Sequence, residues 1–182
     1  MAPRIVDVKE LTTAQRADAA RILREALAHM PSAYNEPGEA EAEVQTFLDD
    51  PERAALAAVD GEVVLGWIGV IESYSHAWEL HPLVVDPAHQ RRGVGAALTA
   101  ALEARVKAQG VLTLYLGTDD DYGGTNLFGQ ALFPDVAGKI ATLRSTGDHA
   151  SGFYRRLGYE VVGLIPDANG PGRPDIMMAK RL

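Results

Sequence analysis

The residues best suited to bind an anion lie in a short turn with the sequence QRRGVGA, which spans residues 90–96. The apolar run before it predicts a strand, and the Ala/Leu-rich run after it predicts a helix. The first backbone N–H groups of a helix have no partner within it and lie at the positive end of the helix dipole. Gly93 leaves these groups open to a ligand, and Arg91 and Arg92 add positive charge. We therefore expect this turn to bind a pyrophosphate group.

Two common nucleotide-binding motifs do not fit this turn. A P-loop requires Lys followed by Ser or Thr at the helix start, where this chain has Gly95, Ala96 and Ala97. The dinucleotide-binding fingerprint requires a third glycine at the position that Leu98 occupies. The turn therefore indicates a different class of pyrophosphate ligand.

Acidic residues are concentrated between Tyr34 and Glu62, a segment that contains nine Asp and Glu residues and only one basic residue, Arg53. The net charge of that segment equals the formal net charge of the whole chain, −8. A negative field disfavours nucleic acid as a partner and favours a polycationic small molecule. The alternative is a solvated acidic helix that keeps the protein soluble.

Composition excludes several kinds of chemistry. The 182 residues contain no cysteine, which excludes disulfides, thiolate metal sites and a cysteine nucleophile. The five histidines show no metal-ligand spacing, so we expect no metal. We find no apolar run long enough to span a membrane and no secretory leader, and therefore expect a cytoplasmic protein with a single domain over residues 1–182.

Hydrophobic periodicity predicts the elements that position the glycine turn. Strands are expected over residues 4–8, 54–59, 63–73, 77–85, 112–117, 160–165 and 175–180. Helices are expected from Thr12 to a stop at Pro31, between Gly38 and Pro51, over 94–109 and over 151–157. Asp60-Gly61 predicts a hairpin turn, and 119–146 is expected to contain some helix. This order predicts an α+β fold of three layers around a mixed sheet.

Several further motifs follow one another in a fixed order along the chain. They are WELHPLVV at 78–85, YLGTDD at 115–120, FYRRLGY at 153–159, IPDANG at 165–170 and PDIMM at 174–178. Together with the glycine turn, this series resembles the aminoglycoside 6′-N-acetyltransferases of the GNAT acyltransferase superfamily. The resemblance covers residues 53–182 well and the first fifty residues more loosely.

The resemblance implies a mixed, mostly antiparallel central sheet that splays open between the strands carrying residues 83–85 and 112–116. It also implies acetyl-CoA as the acetyl donor, with its pantetheine arm in that cleft and its pyrophosphate on the glycine turn. The residues expected to bind this cofactor are Leu83, Val84, Val85, Gln90, Arg91, Arg92, Gly93, Val94, Gly95 and Ala96. Because the chain has no cysteine nucleophile, the acetyl group should pass directly from donor to amine.

The resemblance also implies catalytic roles for Glu79 and Tyr154. Glu79 would take a proton from the acceptor amine or anchor its ammonium group, and Tyr154 would act as the acid near the thiol sulfur. The alternative for Glu79 is an outward strand residue in a salt bridge. The alternative for Tyr154 is packing of its helix on the sheet through an aromatic cluster.

Substrate contacts are implied for Glu79, His81, Asp119, Asp120 and Asp175, which would face the amino groups of a cationic small molecule. His81 could instead be a packed core histidine, and the acids at 119–121 could form a solvated turn. The chain departs from the family pattern at His149-Ala150, at Ser145 and over 122–138.

Three functions remain open from the sequence. The first is acetyl-CoA-dependent acetylation of the 6′-amine of aminoglycosides, with a role in antibiotic resistance. The second is acetylation of another amine, such as a polyamine, a small metabolite or a peptide N-terminus. The third is a non-catalytic acyl-CoA-binding module. By analogy with the family we also expect a homodimer, with neither nucleic acid nor membrane as a partner.

Overall fold

The computed structural model of the chain describes residues 3–31, 33–147 and 149–182. The chain divides into two compact units, Met1–Leu114 with Leu182 and Tyr115–Arg181. The expectation of a single domain over residues 1–182 stays a prediction.

The first unit is built on four antiparallel strands, each hydrogen-bonded to the next in chain order. They are β1 (Arg4–Asp7), β2 (Arg53–Asp60), β3 (Val63–Ile71) and β4 (Ala77–Val85). Gly61 forms the tight β2–β3 turn with a left-handed φ of 61°, as the Asp-Gly pair predicts. β5 (Thr113–Asp119) begins beside β4, where the N–H groups of Leu112 and Thr113 donate to the His76 carbonyl at 2.9 and 3.1 Å.

Two amphipathic helices, α1 (Thr13–Ala26) and α2 (Glu39–Asp49), form the main core of this unit with the strands. Phe47 of α2 packs edge-on against Trp67 of β3 at 5.5 Å, and the Trp67 indole N–H donates to the Ala19 carbonyl of α1 at 3.0 Å. The prediction that α1 continues to Pro31 is wrong. The helix ends at Ala26 because the chain enters a turn, in which the Met30 N–H donates to the Leu27 carbonyl.

The third helix of this unit, α3 (Val94–Lys107), packs against β2, β3 and β4. It buries Leu98, Leu102 and Val106 completely. Its Arg105 donates to Asp7 at the end of β1 at 2.8 Å, which ties the last turn of the helix to the sheet. These contacts fix the direction in which the N-terminus of α3 points.

The second unit contains most of β5 with β6 (Glu160–Ile165) and β7 (Asp175–Arg181), and the helices α4 (Val136–Ala141) and α5 (Ala150–Arg156). β6 and β7 pair antiparallel. The hydrogen-bonded strand order of the sheet is β1-β2-β3-β4-β5-β7-β6. The sheet is open and mostly antiparallel, which confirms the predicted α+β fold; the cofactor cleft stays a prediction.

Candidate active site

The glycine turn between β4 and α3 adopts a backbone suited to anion binding. Arg91 has φ of +62°, which is rare for a residue with a side chain, and Gly93 has φ of +85°. Neighbouring residues with such backbone angles point their N–H groups toward one side, where they form a concave site for an anion. The Gln90 side chain closes the turn by donating to the Val85 carbonyl at 3.2 Å.

The N-terminus of α3 is open at the position where a ligand would approach. The first hydrogen bond of the helix runs from the Ala97 N–H to the Gly93 carbonyl at 3.0 Å, so the N–H groups of Val94, Gly95 and Ala96 precede it. A Cβ at Gly93 would find no atom within 4 Å. The turn therefore has the shape, open space and positive potential that a pyrophosphate requires.

Asp86 anchors the chain just before the turn. Its carboxylate accepts from the Ala88 N–H at 2.8 Å and from Arg21 of α1 at 3.0 Å. Burial would raise the pKa of Asp86, but hydrogen bonds from Arg21 and Ala88 outweigh it, and the pKa lies below its usual range. The ionised carboxylate therefore holds α1 and the turn together at neutral pH.

The residues of β4 that are expected to contact the cofactor are the last three residues of the strand that pair with β3. Leu83, Val84 and Val85 pair with Ile68, Trp67 and Gly66 of β3. Val84 is buried, and its two neighbours are partly exposed.

A bulge interrupts this ladder just before those residues. The register passes from Ile68–Leu83 to Val70–Leu80, so His81 and Pro82 together face Gly69 of β3. Bulges of this kind bend a strand and redirect a side chain.

Glu79 and His81 lie two residues apart on β4 and are both partly exposed. Glu79 pairs with Ile71 of β3, which packs on the α1–α2 core. The His81 ring is 42 % exposed, so it is not a packed core residue. Its Nε2 atom lies 3.3 Å from the Tyr34 hydroxyl and 3.6 Å from a Glu43 oxygen. In the sequence, Tyr34 and Glu43 belong only to an acidic segment, and no local pattern links them to His81.

In the second unit, the chain after β5 is held by the loop before β7. The Asp119 carboxylate accepts from the Asn169 amide, and the buried Asp121 forms an ion pair with Arg173 at 2.7 Å. Asp119 is half-buried and keeps part of its surface exposed. Its position therefore allows contact with a cationic group.

Asp120 has a different environment from its neighbour. It is fully buried, and its carboxylate accepts from the N–H groups of Gly124 and Thr125 at 2.7 and 2.9 Å and from the Thr125 hydroxyl at 2.6 Å. The expected amine contact through Asp120 stays a prediction, and the contacts of Asp120 in this structure are with the loop. Its oxygens hold the loop backbone and do not face solvent.

Tyr154 lies on α5 within an aromatic cluster, with ring centroids 5.2 Å from Phe153 and 5.5 Å from Tyr159. It is 8 % exposed, and burial raises the pKa of its hydroxyl well above the usual range. Tyr154 therefore has the packing role that was the alternative in the sequence analysis, through its contacts with Phe153 and Tyr159. The hydroxyl keeps its proton at neutral pH and can serve as a hydrogen-bond donor.

His149 is not among the site residues that the sequence predicts. It caps α5, with Nδ1 2.9 Å from the Ser151 hydroxyl and Nε2 3.2 Å from the Asp119 carbonyl. Burial lowers the pKa of His149, although the Asp119 carbonyl and the charges of Asp120 and Asp119 oppose the shift. A polar residue two positions before the helix predicted at 151–157 is the signal that could have identified it.

Asp175 begins β7 and packs directly on Gly117 of β5. A Cβ at residue 117 would clash with both oxygens of the Asp175 carboxylate. Asp175 is half-buried. The missing side chain at Gly117 therefore makes room for this acid.

The first unit thus brings Glu79 and His81 onto the strand that leads to the glycine turn, and the second unit carries Asp119, Tyr154 and Asp175. Within the described ranges, no cluster of three or more His, Asp and Glu is arranged to hold a metal ion. None of the helices in those ranges is long and apolar enough to cross a membrane.

Comparison with solved structures finds close relatives over nearly the full chain. An aminoglycoside 6′-N-acetyltransferase complexed with coenzyme A is 35% identical, with a TM-score of 0.88, and the match covers 98% of this chain and 96% of that one. The aminoglycoside 6′-N-acetyltransferase from Enterococcus faecium is 36% identical, with a TM-score of 0.85 and the same coverage of 98% and 96%. A search of curated proteins returns no match.

A more distant structure shares the fold alone. The ribosomal-protein-S18-alanine N-acetyltransferase from Escherichia coli is 18% identical, with a TM-score of 0.64, over 98% of this chain and 92% of that one.

The family profile described as Acetyltransferase (GNAT) family matches residues 20–129, which include β2, β3, β4, the glycine turn and α3. This family uses acetyl-CoA. The chain belongs to the GNAT acetyltransferase family.

Proposed function

We propose that this protein transfers the acetyl group of acetyl-CoA directly to the 6′-amine of an aminoglycoside. The observation that carries the proposal is the open N-terminus of α3 behind Gly93, which suits the pyrophosphate of coenzyme A. The 6′-amine as acceptor is inferred from two aminoglycoside 6′-N-acetyltransferases, which are 35% and 36% identical over 98% of this chain.

The reaction balances as an exchange of one bond for another. The amine nitrogen forms a bond to the thioester carbonyl carbon, and the C–S bond breaks. A protonated amine loses two protons on becoming an amide; one goes to the departing thiolate and the other to solvent. The protein must therefore deprotonate an amine that titrates near ~10 and stabilise the charge that develops on sulfur.

Glu79 is the group we assign to the amine. Its carboxylate attracts the ammonium and accepts a proton from it, directly or through water. The partly exposed position on β4 gives a substrate access to this side chain. Orientation of the amine toward the carbonyl carbon supplies a further part of the rate.

Tyr154 is the group we assign to the thiol sulfur. A thiol titrates near ~8.5 and a tyrosine near ~10, and burial raises the pKa of Tyr154 further. Full proton transfer from tyrosine to thiolate is therefore uphill. We assign Tyr154 as a hydrogen-bond donor that stabilises the negative charge on sulfur, which narrows its expected role as an acid.

Two carboxylates of the second unit are assigned to the other amino groups of the acceptor. Asp119 and Asp175 take this role in place of the buried Asp120. We also propose that the protein is a cytoplasmic homodimer that contributes to antibiotic resistance, as expected from the resemblance.

A polyamine is the second candidate acceptor. The acidic residues between Tyr34 and Glu62 favour any polycation, and spermidine meets that requirement without a sugar ring.

Release of free coenzyme A thiol from acetyl-CoA tests the proposal. We expect thiol release with an aminoglycoside that carries a 6′-amine, far above the rates with spermidine and without acceptor. Faster turnover of spermidine would contradict the aminoglycoside as substrate. Acetyl-CoA binding without thiol release from any amine would favour the non-catalytic module.

A further inference from the structure

A network of polar side chains surrounds His81 in the first unit. The Nε2 atom of His81 faces the Tyr34 hydroxyl at 3.3 Å and the Glu43 carboxylate at 3.6 Å. Arg53 of β2 donates to the same Glu43 oxygen at 3.3 Å. Tyr34 and Glu43 therefore converge on one ring nitrogen, and Arg53 holds the Glu43 carboxylate from a third segment of the chain.

Glu43 is built into this network as an anion. Its side chain is 19 % exposed, and that of Arg53 is 23 % exposed. A hydrogen bond with His81 lowers the pKa of Glu43, burial opposes that shift, and the charges of His81 and Arg53 add to the lowering. Arg53 is itself fixed over the Phe47 ring at 5.3 Å and beside Asp50 at 3.4 Å. The Glu43 carboxylate is therefore ionised and held in place.

The backbone brings α2 close to β4 at this point. A Cβ at Gly69 of β3 would lie 2.5 Å from the Phe47 ring and would also clash with the His81 carbonyl. The missing side chain lets α2 approach the bulge at His81 and Pro82. This close packing places Glu43, which lies one turn before Phe47, beside the His81 ring.

Tyr34 completes the arrangement from the segment that precedes α2. Its backbone has φ of +52°, in a region rarely occupied by residues with bulky side chains. Burial raises the pKa of its hydroxyl, and the charge of Glu43 raises it further. The hydroxyl therefore stays neutral. The hydroxyl and the carboxylate therefore restrain the ring through the same nitrogen, while 42 % of the His81 side chain remains exposed.

We propose that Glu43 is a positioning residue for acceptor binding, which holds the His81 ring in the orientation that contacts the acceptor amine. The Glu43 carboxylate, 3.6 Å from Nε2, favours a proton on that atom, which leaves Nδ1 to meet the substrate. This inference rests on the proposed function, because the expected contact of His81 with the substrate needs an aminoglycoside as acceptor.

A double-mutant cycle tests the proposal. We expect Glu43→Gln and His81→Ala each to raise the KM for the aminoglycoside about tenfold, as loss of one charged hydrogen bond would. The KM for acetyl-CoA should not change. Because Glu43 acts through His81, the double variant should be no worse than His81→Ala alone. Additive losses would overturn the proposal.

A matched control lies on the same helix. Glu41 of α2 forms an ion pair with Arg24 at 2.8 Å and is 53 % exposed, so Glu41→Gln removes a charge from α2 without touching His81. We expect its KM for the aminoglycoside to match that of the unsubstituted protein. An equal rise in Glu41→Gln would show a general charge effect and overturn the positioning role.

A measurement without substrate separates this inference from the proposed function. The ring C–H resonance of His81 is identified by its loss in His81→Ala. It should move in Glu43→Gln and stay in place in Glu41→Gln. An unmoved resonance in Glu43→Gln would overturn the positioning role, whereas absence of turnover with every amine would overturn the proposed function.

Discussion

At the scale of single residues, Tyr154 packs through its ring, and we propose that its hydroxyl assists the chemistry. Its ring lies between Phe153 and Tyr159, and its hydroxyl is buried with a raised pKa. Packing depends on the ring and assistance depends on the hydroxyl. The two roles can therefore be separated by removal of one oxygen atom.

Tyr154→Phe should lower kcat roughly 10- to 100-fold, because the sulfur loses a hydrogen-bond donor in the transition state. The free energy of unfolding should change by less than about 1 kcal/mol, since the ring still packs. Steady-state thiol release and thermal unfolding measure the two effects. Tyr159→Phe, in the same cluster, is the control and should keep its turnover; unchanged kcat in Tyr154→Phe would leave only the packing role.

At the scale of the elements, α3 offers an internal comparison between its two ends. Gly93 precedes the helix with φ of +85°, and Gly110 follows it with φ of +88°. A Cβ at either glycine would find no atom within 4 Å. The two positions therefore share the same backbone strain and differ in their relation to the helix dipole.

Gly93→Ala and Gly110→Ala should each cost about 1–2 kcal/mol of stability, because alanine resists a left-handed backbone. Gly93→Ala alone should raise the KM for acetyl-CoA, since its methyl group would occupy open space beside the helix N-terminus where we propose that the pyrophosphate binds. Denaturant unfolding and steady-state kinetics check the pair. An equal rise in KM for both variants would contradict pyrophosphate binding at the N-terminus of α3.

The start of α5 predicts a dependence on pH. The pKa of His149 lies below its unfolded value near 6.5, so the unfolded chain takes up a proton before the folded protein does. The stability that neutral His149 contributes is therefore complete above about pH 6.5 and is lost as the pH falls below it.

The unfolding temperature should fall between pH 7.5 and pH 5.5, and it should fall less in His149→Asn. Asparagine can still cap the helix but does not titrate in this range. Differential scanning calorimetry of both proteins at the two pH values makes the comparison. Equal losses in the two proteins would assign the pH dependence to other groups.

At the scale of the whole molecule, charge should separate the two substrates. The formal net charge of −8 attracts a polycationic amine and repels the anionic acetyl-CoA. Added salt screens both effects, since the Debye length shortens from about 10 Å at 0.1 M to about 3 Å at 1 M. Raising the salt should therefore increase the KM for the aminoglycoside and not that for acetyl-CoA. Parallel increases in both constants would contradict electrostatic attraction of the acceptor.

The sequence predicts best where one local rule decides. The bounds of β4 and β6 were predicted correctly, because apolar strands there end at clear turn residues. α1 was predicted too long, since periodicity continues to Met30 after its backbone has left the helix. The 119–146 segment is held by side-chain bonds such as those of Asp120, which have no periodic signal.

The candidate site likewise contains one part that the sequence predicts and one part that it does not. The glycine turn was visible because its residues are consecutive, and the structure gives it an anion-binding backbone. The contact of Glu43 with His81 joins residues 38 positions apart, and it depends on close packing at Gly69. Local sequence patterns carry no information about such a contact.

The most direct test of acetyl transfer to the 6′-amine compares two acceptors that differ only at that position. One aminoglycoside carries a 6′-amine and its matched analogue a 6′-hydroxyl. Release of coenzyme A thiol is measured with each, at equal concentrations of protein and acetyl-CoA. We predict turnover with the amine and none above background with the hydroxyl. Equal rates with both, or no release with either, would contradict this function.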